Sequence, residues 1–191
     1  MKLMLRKCLP VLTGLLFSAG LLAQKSQVRY AGHINAGLPF GDNKTNVIIQ
    51  TIHGARLNTW FAGIGGGLDA YFQQSLPLFL DIRKRILKSA STPFVYADAG
   101  VNFLAETKGQ TFSRGTSMKR KPGSYYELGA GYRIGLTTTA LNFTVGYSYK
   151  GYKEHNYGIK HVPNKEPEEN ALLETKAYHL RRISFKLGLE F

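Results

Sequence analysis

The stretch Ile183-Ser-Phe-Lys-Leu-Gly-Leu-Glu-Phe191 decides the fold. Its even positions are small or charged, and its odd positions are all large and apolar: Ile183, Phe185, Leu187, Leu189 and Phe191. This period of two is typical of a β-strand with one apolar and one polar face. The apolar face covers either the core of a soluble sheet or the lipid side of a membrane barrel. Nine tilted residues span roughly 23 Å, close to the apolar band of a membrane barrel, where a final aromatic is expected at the interface.

The first 23 residues have the organisation of a secretory signal peptide. A basic start with Lys2, Arg6 and Lys7 is followed by an apolar stretch and by small residues up to Ala23. A retained anchor helix is the alternative, although the apolar run is short for one. We therefore expect a leader over residues 1–23 and one barrel domain over residues 24–191. Cleavage removes Cys8, the single cysteine, so no disulfide is predicted.

The chain is strongly basic, with 25 Lys and Arg against 12 Asp and Glu. Loss of the leader removes three basic residues and lowers the net charge from +13 to +10. Because a secreted chain rarely meets nucleic acid, anionic lipid is the expected partner and nucleic acid is not. No stretch after residue 23 holds eighteen consecutive apolar residues, so a membrane interpretation requires strands closed into a barrel.

Alternating apolar and polar residues recur at steady spacing along the remaining chain. The predicted strands are Val28–Leu38, Asn46–Ala55, Trp60–Phe72, Leu78–Ile86, Pro93–Phe103, Ser124–Gly135, Leu141–Tyr152 and Ile183–Phe191. Eight is an even number, and the predicted fold is all-β: an eight-stranded, antiparallel, up-and-down transmembrane β-barrel. With both termini in the periplasm, the long polar segments Glu106–Gly123 and Lys153–Lys176 become outer loops, and Thr137-Thr138-Thr139 becomes an inner turn.

The polar faces of these strands carry charges of both signs. The candidate lumen residues are Asp69, Asp81, Arg83, Asp98, Glu127, Arg133, Lys150, Arg182 and Lys186. Paired carboxylates would suit acid–base catalysis. An eight-stranded barrel, however, is just wide enough for its own side chains, and enclosed charges must be paired. The sequence therefore favours a structural ion-pair network over a catalytic site or an open pore.

Two segments resemble a known family. Leu76-Pro77-Leu78-Phe79-Leu80-Asp81-Ile82-Arg83 and Pro93-Phe94-Val95-Tyr96-Ala97-Asp98-Ala99-Gly100 are similar to the small outer-membrane β-barrels of Gram-negative envelopes, of the OmpA/OmpX type. The resemblance covers most of residues 28 to 191. It implies an integral outer-membrane barrel, mostly without known enzymatic sites, whose Phe-ending last strand resembles the signal that the barrel-assembly machinery reads. No cofactor and no catalytic residue follows from it. We expect the barrel to be a monomer.

Other motifs carry little chemistry. Gly63-Ile64-Gly65-Gly66-Gly67 lacks the Lys-Ser/Thr and the helix of a phosphate loop, so its glycines are expected to relieve curvature and leave room in the lumen. The five histidines show no ligand spacing, and no metal site is predicted.

Two basic clusters have either a solvated or a lipid-binding interpretation. They comprise Arg83, Lys84, Arg85 and Lys88 at one strand end, and Arg114, Lys119, Arg120 and Lys121 in an outer loop. The functional interpretation is contact with lipid headgroups or phosphorylated glycolipid.

The function that these observations favour is a structural or surface-interaction barrel whose outer loops contact lipid or a partner. The alternative is a membrane-embedded hydrolase or acyltransferase acting on envelope lipid, for which Ser148, Glu154 and His155 lie close in sequence. A soluble ligand-binding barrel would need an apolar cavity, whereas these inward faces are polar.

Overall fold

The computed structural model describes residues 28–41, 46–105, 117–160 and 168–191. Within these ranges the chain forms strands and turns. The strands are β1 (Arg29–Gly41), β2 (Ile48–Leu57), β3 (Trp60–Asp69), β4 (Ser75–Arg85), β5 (Thr92–Leu104), β6 (Ser117–Lys121), β7 (Gly123–Gly135), β8 (Ala140–Lys160) and β9 (Glu168–Glu190). None of the described segments forms a helix with the length and hydropathy of a membrane span. The predicted leader lies outside the described residues and stays a prediction.

All strand pairs are antiparallel, and the sheet closes on itself because β9 pairs with both β1 and β8. The short strand β6 and the strand β7 pair with successive parts of β8 and are separated by Pro122, which has no backbone N–H to donate to the ladder. They therefore act as one interrupted wall strand. The wall has eight strands, as the sequence predicts.

The pleat sends apolar side chains outward and polar ones inward. Val95, Ala97, Leu128, Val145, Phe185 and Leu187 are all exposed, with Leu128 at 65%. Asp98, Glu127 and Lys186 are buried in the lumen, and Arg133 is half-buried. A soluble barrel would bury its apolar face, so this inverted arrangement is that of a transmembrane barrel.

Glycines on the lumen face make room for the rings that fill it. A Cβ on Gly65 would lie 2.5 Å from the ring of Phe79. Phe79 packs with Ala31, Ile52, Phe61 and Tyr125 in a small buried cluster at the centre of the lumen. Gly65 therefore leaves room for a lumen side chain, as the sequence analysis expects.

The largest difference from the sequence prediction lies in β8 and β9. Lys153–Lys176 is not one long loop, because β8 continues to Lys160 and β9 already begins at Glu168. The neighbouring wall strands end much earlier, at the pairs Tyr125↔Lys150 and Gly41↔Arg182. Residues 151–160 and 168–181 therefore project beyond the wall together with β6, as a three-stranded sheet that we call the outer ribbon. Residues 172–177 are exposed at every position, so this part of the outer ribbon lacks the alternation that reveals the wall strands.

Similarly, the predicted loop Glu106–Gly123 is partly strand: residues 106–116 lie outside the described part, Ser117–Lys121 is β6, and Gly123 begins β7.

The barrel has two distinct ends. The terminal end carries the start of β1, the end of β9 and the turns at residues 58–59, 86–91 and 136–139. The ribbon end carries the outer ribbon. Exposed aromatic side chains mark both: Tyr30, Trp60 and Tyr132 near the terminal end, and Phe40, Phe72 and Tyr126 near the ribbon end. Such paired aromatic belts flank the apolar band of membrane barrels.

Candidate functional site

The nine charged residues that the sequence assigns to the lumen all project into it, but they do not form one network. Asp69, Lys150 and Arg182 meet near the ribbon end, whereas Glu127 and Lys186 meet at the centre. Asp81 and Arg83 form a third pair, and Arg133 lies at the terminal end.

The carboxylate of the ribbon-end group is paired with two cations, although Arg182 Nη1 is buried without a hydrogen-bond partner. Asp69 Oδ2 forms an ion pair with Arg182, and Lys150 Nζ lies 3.6 Å from Asp69 Oδ1. Arg182 Nε donates to Ser148 Oγ at 2.7 Å. Lys150 Nζ also donates to Ser75 Oγ at 2.8 Å and to nearby backbone carbonyls. All three charged side chains are completely buried.

The central group surrounds Glu127, which lies in contact with four donors. Lys186 Nζ lies 2.7 Å from Glu127 Oε1, and Ser184 Oγ donates to the same oxygen at 2.8 Å. The hydroxyls of Tyr96 and Tyr125 donate to the carboxylate at 2.6 and 2.7 Å. A carboxylate with this many donors is stabilised as an anion inside the barrel.

The third pair is bidentate. Arg83 Nε donates to Asp81 Oδ1 at 2.9 Å, and Arg83 Nη2 donates to Asp81 Oδ2 at 2.8 Å. Across the sheet, Asp98 lies in register between two other carboxylates, Asp81 on β4 and Glu127 on β7. Both of its carboxylate oxygens are buried without a hydrogen-bond partner among the described residues, so the predicted ion pairing does not extend to Asp98. The guanidinium of Arg83 also lies 5.6 Å from the ring centre of Tyr96.

These groups fill the barrel rather than line a passage. Arg182, Tyr125, Lys150, Gln50 and Glu127 are among the largest fully buried side chains of the described chain. A catalytic carboxylate needs a substrate or water within reach, whereas Asp81 and Glu127 are enclosed by their own partners. The arrangement therefore suits a rigid, plugged lumen.

The terminal end differs because arginines dominate it. A hollow of about 380 Å³, which we call the arginine vestibule, is lined by Arg29, Arg56, Asn58 and Arg85. Deeper in the lumen, Arg56 and Arg85 also line a smaller space of about 20 Å³ together with His33, Arg83, Arg133 and Glu190. Glu190 pairs with Arg56 and, at 3.0 Å, with Arg133.

Sequence reasoning missed most of this cluster. Arg56, Arg85 and Glu190 continue the inward phase of β2, β4 and β9, so the alternation contained the signal. Which of them meet depends on the stagger between strands, which the sequence does not show.

The predicted basic cluster at this end is divided by the pleat. Arg83 and Arg85 point inward, and Lys84 points outward, with its Nζ 4.5 Å from the ring centre of Trp60 and 2.7 Å from Thr59 Oγ1. Lys88 lies exposed in the following turn. The cluster is therefore not one lipid-facing patch, because successive residues of a strand face opposite sides.

The second basic cluster is divided in the same way. Arg120 pairs with Glu154 at 3.0 Å. Lys119 and Lys121 face the other side of the outer ribbon, in register with His155 and Lys153. Arg114 lies outside the described residues.

The structure does not assemble the catalytic group considered for a hydrolase. Ser148 is buried against Arg182, whereas His155 lies on the opposite face of β8, with its Nδ1 2.9 Å from Thr175 Oγ1. A different pair, Thr51 Oγ1 and His53 Nε2, lies 2.9 Å apart on the outer surface, where His53 Nδ1 also contacts the hydroxyl of Tyr30.

No family model matches the chain, and no curated protein matches it. Solved structures do. Neisserial surface protein A (NspA) is 12% identical, covering 86% of this chain and 97% of its own, with a TM-score of 0.53. The N-terminal β-barrel domain of Pseudomonas aeruginosa OprF is 13% identical (86% and 100% covered, TM-score 0.48), and the outer membrane protein OprG from P. aeruginosa is 15% identical (86% and 94%, 0.48). The closed eight-stranded wall and the likeness to NspA together show that this chain has the fold of the small outer-membrane β-barrels.

Proposed function

We propose that the protein is a non-enzymatic, integral outer-membrane barrel whose outer ribbon contacts the phosphate groups of surrounding lipids. The observation that carries this proposal is the phase of β8. Its lipid-facing residues Tyr147 and Tyr149 continue, two residues at a time, to Lys153 and His155 on one face of the outer ribbon. Basic side chains directly beyond a lipid-facing aromatic belt are placed to meet headgroups.

The basic face is broader than β8 alone. Lys119 and Lys121 of β6 lie beside His155 and Lys153 in the ladder, and all three lysines are exposed. Lys119 Nζ lies 5.4 Å from the ring centre of Tyr157, which holds its charge near the strand. Each such cation contributes about 1 kcal/mol near an anionic surface.

A stability measurement tests the lipid contact. The unfolding midpoint is compared in bicelles of phosphatidylcholine with and without phosphatidic acid. We expect phosphatidic acid to raise the unfolding midpoint of the natural chain. This rise should largely disappear in the triple variant Lys119→Gln, Lys121→Gln, Lys153→Gln. Lys176→Gln, on the opposite face beside Glu154, is the control. An equal loss in the control, or no stabilisation of the natural chain, would overturn the proposal.

Labelling tests which end faces outward. The natural chain has a single cysteine, Cys8 in the predicted leader, so engineered cysteines report their own position. We expect a membrane-impermeant maleimide to label Thr175→Cys, on the outer ribbon, in intact cells. Thr138→Cys, in an exposed turn at the terminal end, is expected to react only after the outer membrane is opened. The reverse pattern would invert the assignment of the two ends.

The last strand is the proposed signal for the barrel-assembly machinery. Phe191 closes the seam, where its N–H donates to the Gly32 carbonyl at 3.0 Å and its carbonyl accepts from Gly32 at 2.8 Å. We expect Phe191→Asp to leave unassembled chain in the periplasm and Phe191→Tyr to assemble, as judged by heat-modifiable migration of membrane fractions. Normal assembly of Phe191→Asp would remove this role.

The alternative activity, hydrolysis of envelope lipid, has one site worth testing. Thr51 and His53 are hydrogen-bonded, but the third partner is the Tyr30 hydroxyl rather than a carboxylate. A tyrosine stabilises an imidazolium less than a carboxylate does. We expect no hydrolysis of phospholipid by the natural chain; a hydrolysis rate abolished by both Thr51→Val and His53→Gln would establish the enzyme instead.

A further inference from the structure

We infer that the arginine vestibule at the terminal end is a binding site for a phosphate group. This site lies at the opposite end of the barrel from the outer ribbon and is independent of the function proposed above. Its ligand is a phosphate monoester or pyrophosphate, presented either by a soluble molecule or by a lipid headgroup of the nearer leaflet.

The charge balance of the terminal end is the first argument. Arg29, Arg56 and Arg85 line the arginine vestibule, and Arg133 joins the last two at the smaller space. Glu190 is the one side-chain carboxylate among the described residues that line the two spaces. Arg83, the next arginine inward, is already paired with Asp81. Like charges held this close repel one another unless an anion joins them, so the cluster favours a multiply charged anion.

Two buried polar atoms without a hydrogen-bond partner provide the second argument. Arg83 is almost completely buried, and its Nη1 has no hydrogen-bond partner. His33 Nε2 is likewise buried without a partner, and both residues line the smaller space. Buried polar atoms are normally hydrogen-bonded, so these two favour a polar molecule such as water beside them, although unpartnered atoms of Asp98 and Arg182 occur farther along the lumen as well.

The volumes of the two spaces decide which can hold a water molecule and which can hold a phosphate group. The smaller space of about 20 Å³ holds one water molecule and is too small for a phosphate group. The arginine vestibule, at about 380 Å³, has room for a phosphate and its first hydration waters. Because Arg56 and Arg85 line both spaces, a water on Arg83 and His33 would lie next to an anion held by the outer arginines.

Guanidinium chemistry favours phosphate over a simple halide. Arginine donates two parallel N–H groups that match two phosphate oxygens, and several such forks can share one phosphate. Arg85 is positioned for this role, since its Nη2 donates to the Asn58 carbonyl at 2.8 Å and so orients the guanidinium at the rim. The plugged lumen behind the arginine vestibule makes this a binding site rather than the entrance to a channel.

Titration of the purified full-length barrel with pyrophosphate, in an uncharged maltoside detergent at low salt, tests the inference by calorimetry. We expect saturable binding to the natural chain, weakened by about tenfold or more in Arg85→Gln. The matched control is Lys84→Gln, which removes the same charge from the adjacent position on the outer face. Heat-modifiable migration verifies that each variant folds, and Arg29→Gln replaces Arg85→Gln if the latter does not.

Two results would overturn the inference: no saturable binding to the natural chain, or an equal loss in Lys84→Gln, which would mean that overall charge attracts the anion. The source of the phosphate is then identified in nanodiscs. If phosphatidic acid weakens pyrophosphate binding to the natural chain by competition, a lipid headgroup is the occupant; if it does not, the ligand is soluble. Either result supports the site.

Discussion

The two ends of the lumen differ in how their charged side chains are paired. At the ribbon end, Asp69 lies between Lys150 and Arg182 in a fully buried group, and hydroxyls accept further hydrogen bonds from Lys150 Nζ and Arg182 Nε. At the terminal end, Arg56 and Arg133 share the buried Glu190, and their own side chains keep 21% and 12% of their surface exposed. Buried charge must be compensated by the protein itself, whereas charge at an open rim can be compensated by water or by a ligand. An excess of positive side chains at a rim therefore points to binding, whereas a buried carboxylate paired with cations, such as Asp69, points to a structural role.

Removing one carboxylate from each end gives the largest expected contrast. Asp69→Asn leaves Lys150 and Arg182 buried without a carboxylate, and we expect a loss of about 3–5 kcal/mol in the free energy of unfolding. Glu190 is also buried, but Glu190→Gln leaves Arg56 and Arg133 able to turn toward water, so a smaller loss of about 1.5–3 kcal/mol is expected. Urea titration of the refolded barrel in micelles measures both, and similar losses would contradict the contrast.

The central network provides a second comparison, now with the outer ribbon. Glu127→Ala removes the acceptor of Lys186, Tyr96, Tyr125 and Ser184 at once, and a loss on the order of 3 kcal/mol is expected. The same substitution at Glu174, whose pair with Lys176 is exposed, is expected to cost less than about 0.5 kcal/mol. An unchanged midpoint for Glu127→Ala would mean that water reaches the centre of the lumen.

Adjacent glycines test whether the lumen between the two ends is filled. A Cβ on Gly65 would meet the Phe79 ring at 2.5 Å, whereas a Cβ on Gly66 points outward and meets its nearest atom at 3.6 Å. We expect Gly65→Ala to destabilise the barrel by about 1–3 kcal/mol through overpacking. Gly66→Ala is expected to be neutral or slightly stabilising. Equal effects on the unfolding midpoint would indicate a lumen with spare room.

The smallest expected effect is a stabilisation. Because Arg85 lies among other arginines, Arg85→Gln relieves repulsion and is expected to stabilise the phosphate-free barrel by up to about 1 kcal/mol at low salt. The gain should vanish near 1 M salt, where charges are screened over about 3 Å. A destabilisation that does not depend on salt would show that the Arg85–Asn58 hydrogen bond outweighs the repulsion.

The sequence predicts the wall well because each wall strand separates two different environments. Leu128 and Val145 face lipid, whereas Glu127 and Ser148 face the lumen. Because successive side chains of a strand point to opposite sides, these two environments produce an alternation of apolar and polar residues. The outer ribbon lacks the contrast. Leu172 and Leu173 are both exposed although they are adjacent, so nothing in their pattern marks a strand. The sequence therefore predicts a loop where β8 and β9 form a long ladder.

The candidate sites are predictable only in part for a related reason. Alternation assigns Asp69 and Arg182 to the lumen, but their ion pair depends on how far β9 is staggered against β3 around the wall. The arginine vestibule depends on the same stagger. Arg56 and Arg85 come from strands separated by β3 and meet only because the tilted wall brings both strand ends to one rim.

The seam between β1 and β9 also has a consequence for the order of folding. His33 pairs with Glu190 and Gly41 with Arg182, so closure joins the first and the last described strands. Bringing such distant segments together costs on the order of 4 kcal/mol in loop entropy, whereas the neighbouring strands β8 and β9 meet across a short connection. We therefore expect the β8–β9 hairpin to form early and to offer its free edge as a template. The barrel then stays an open sheet, with two unpaired edges, until β1 docks on that template as the last and slowest step.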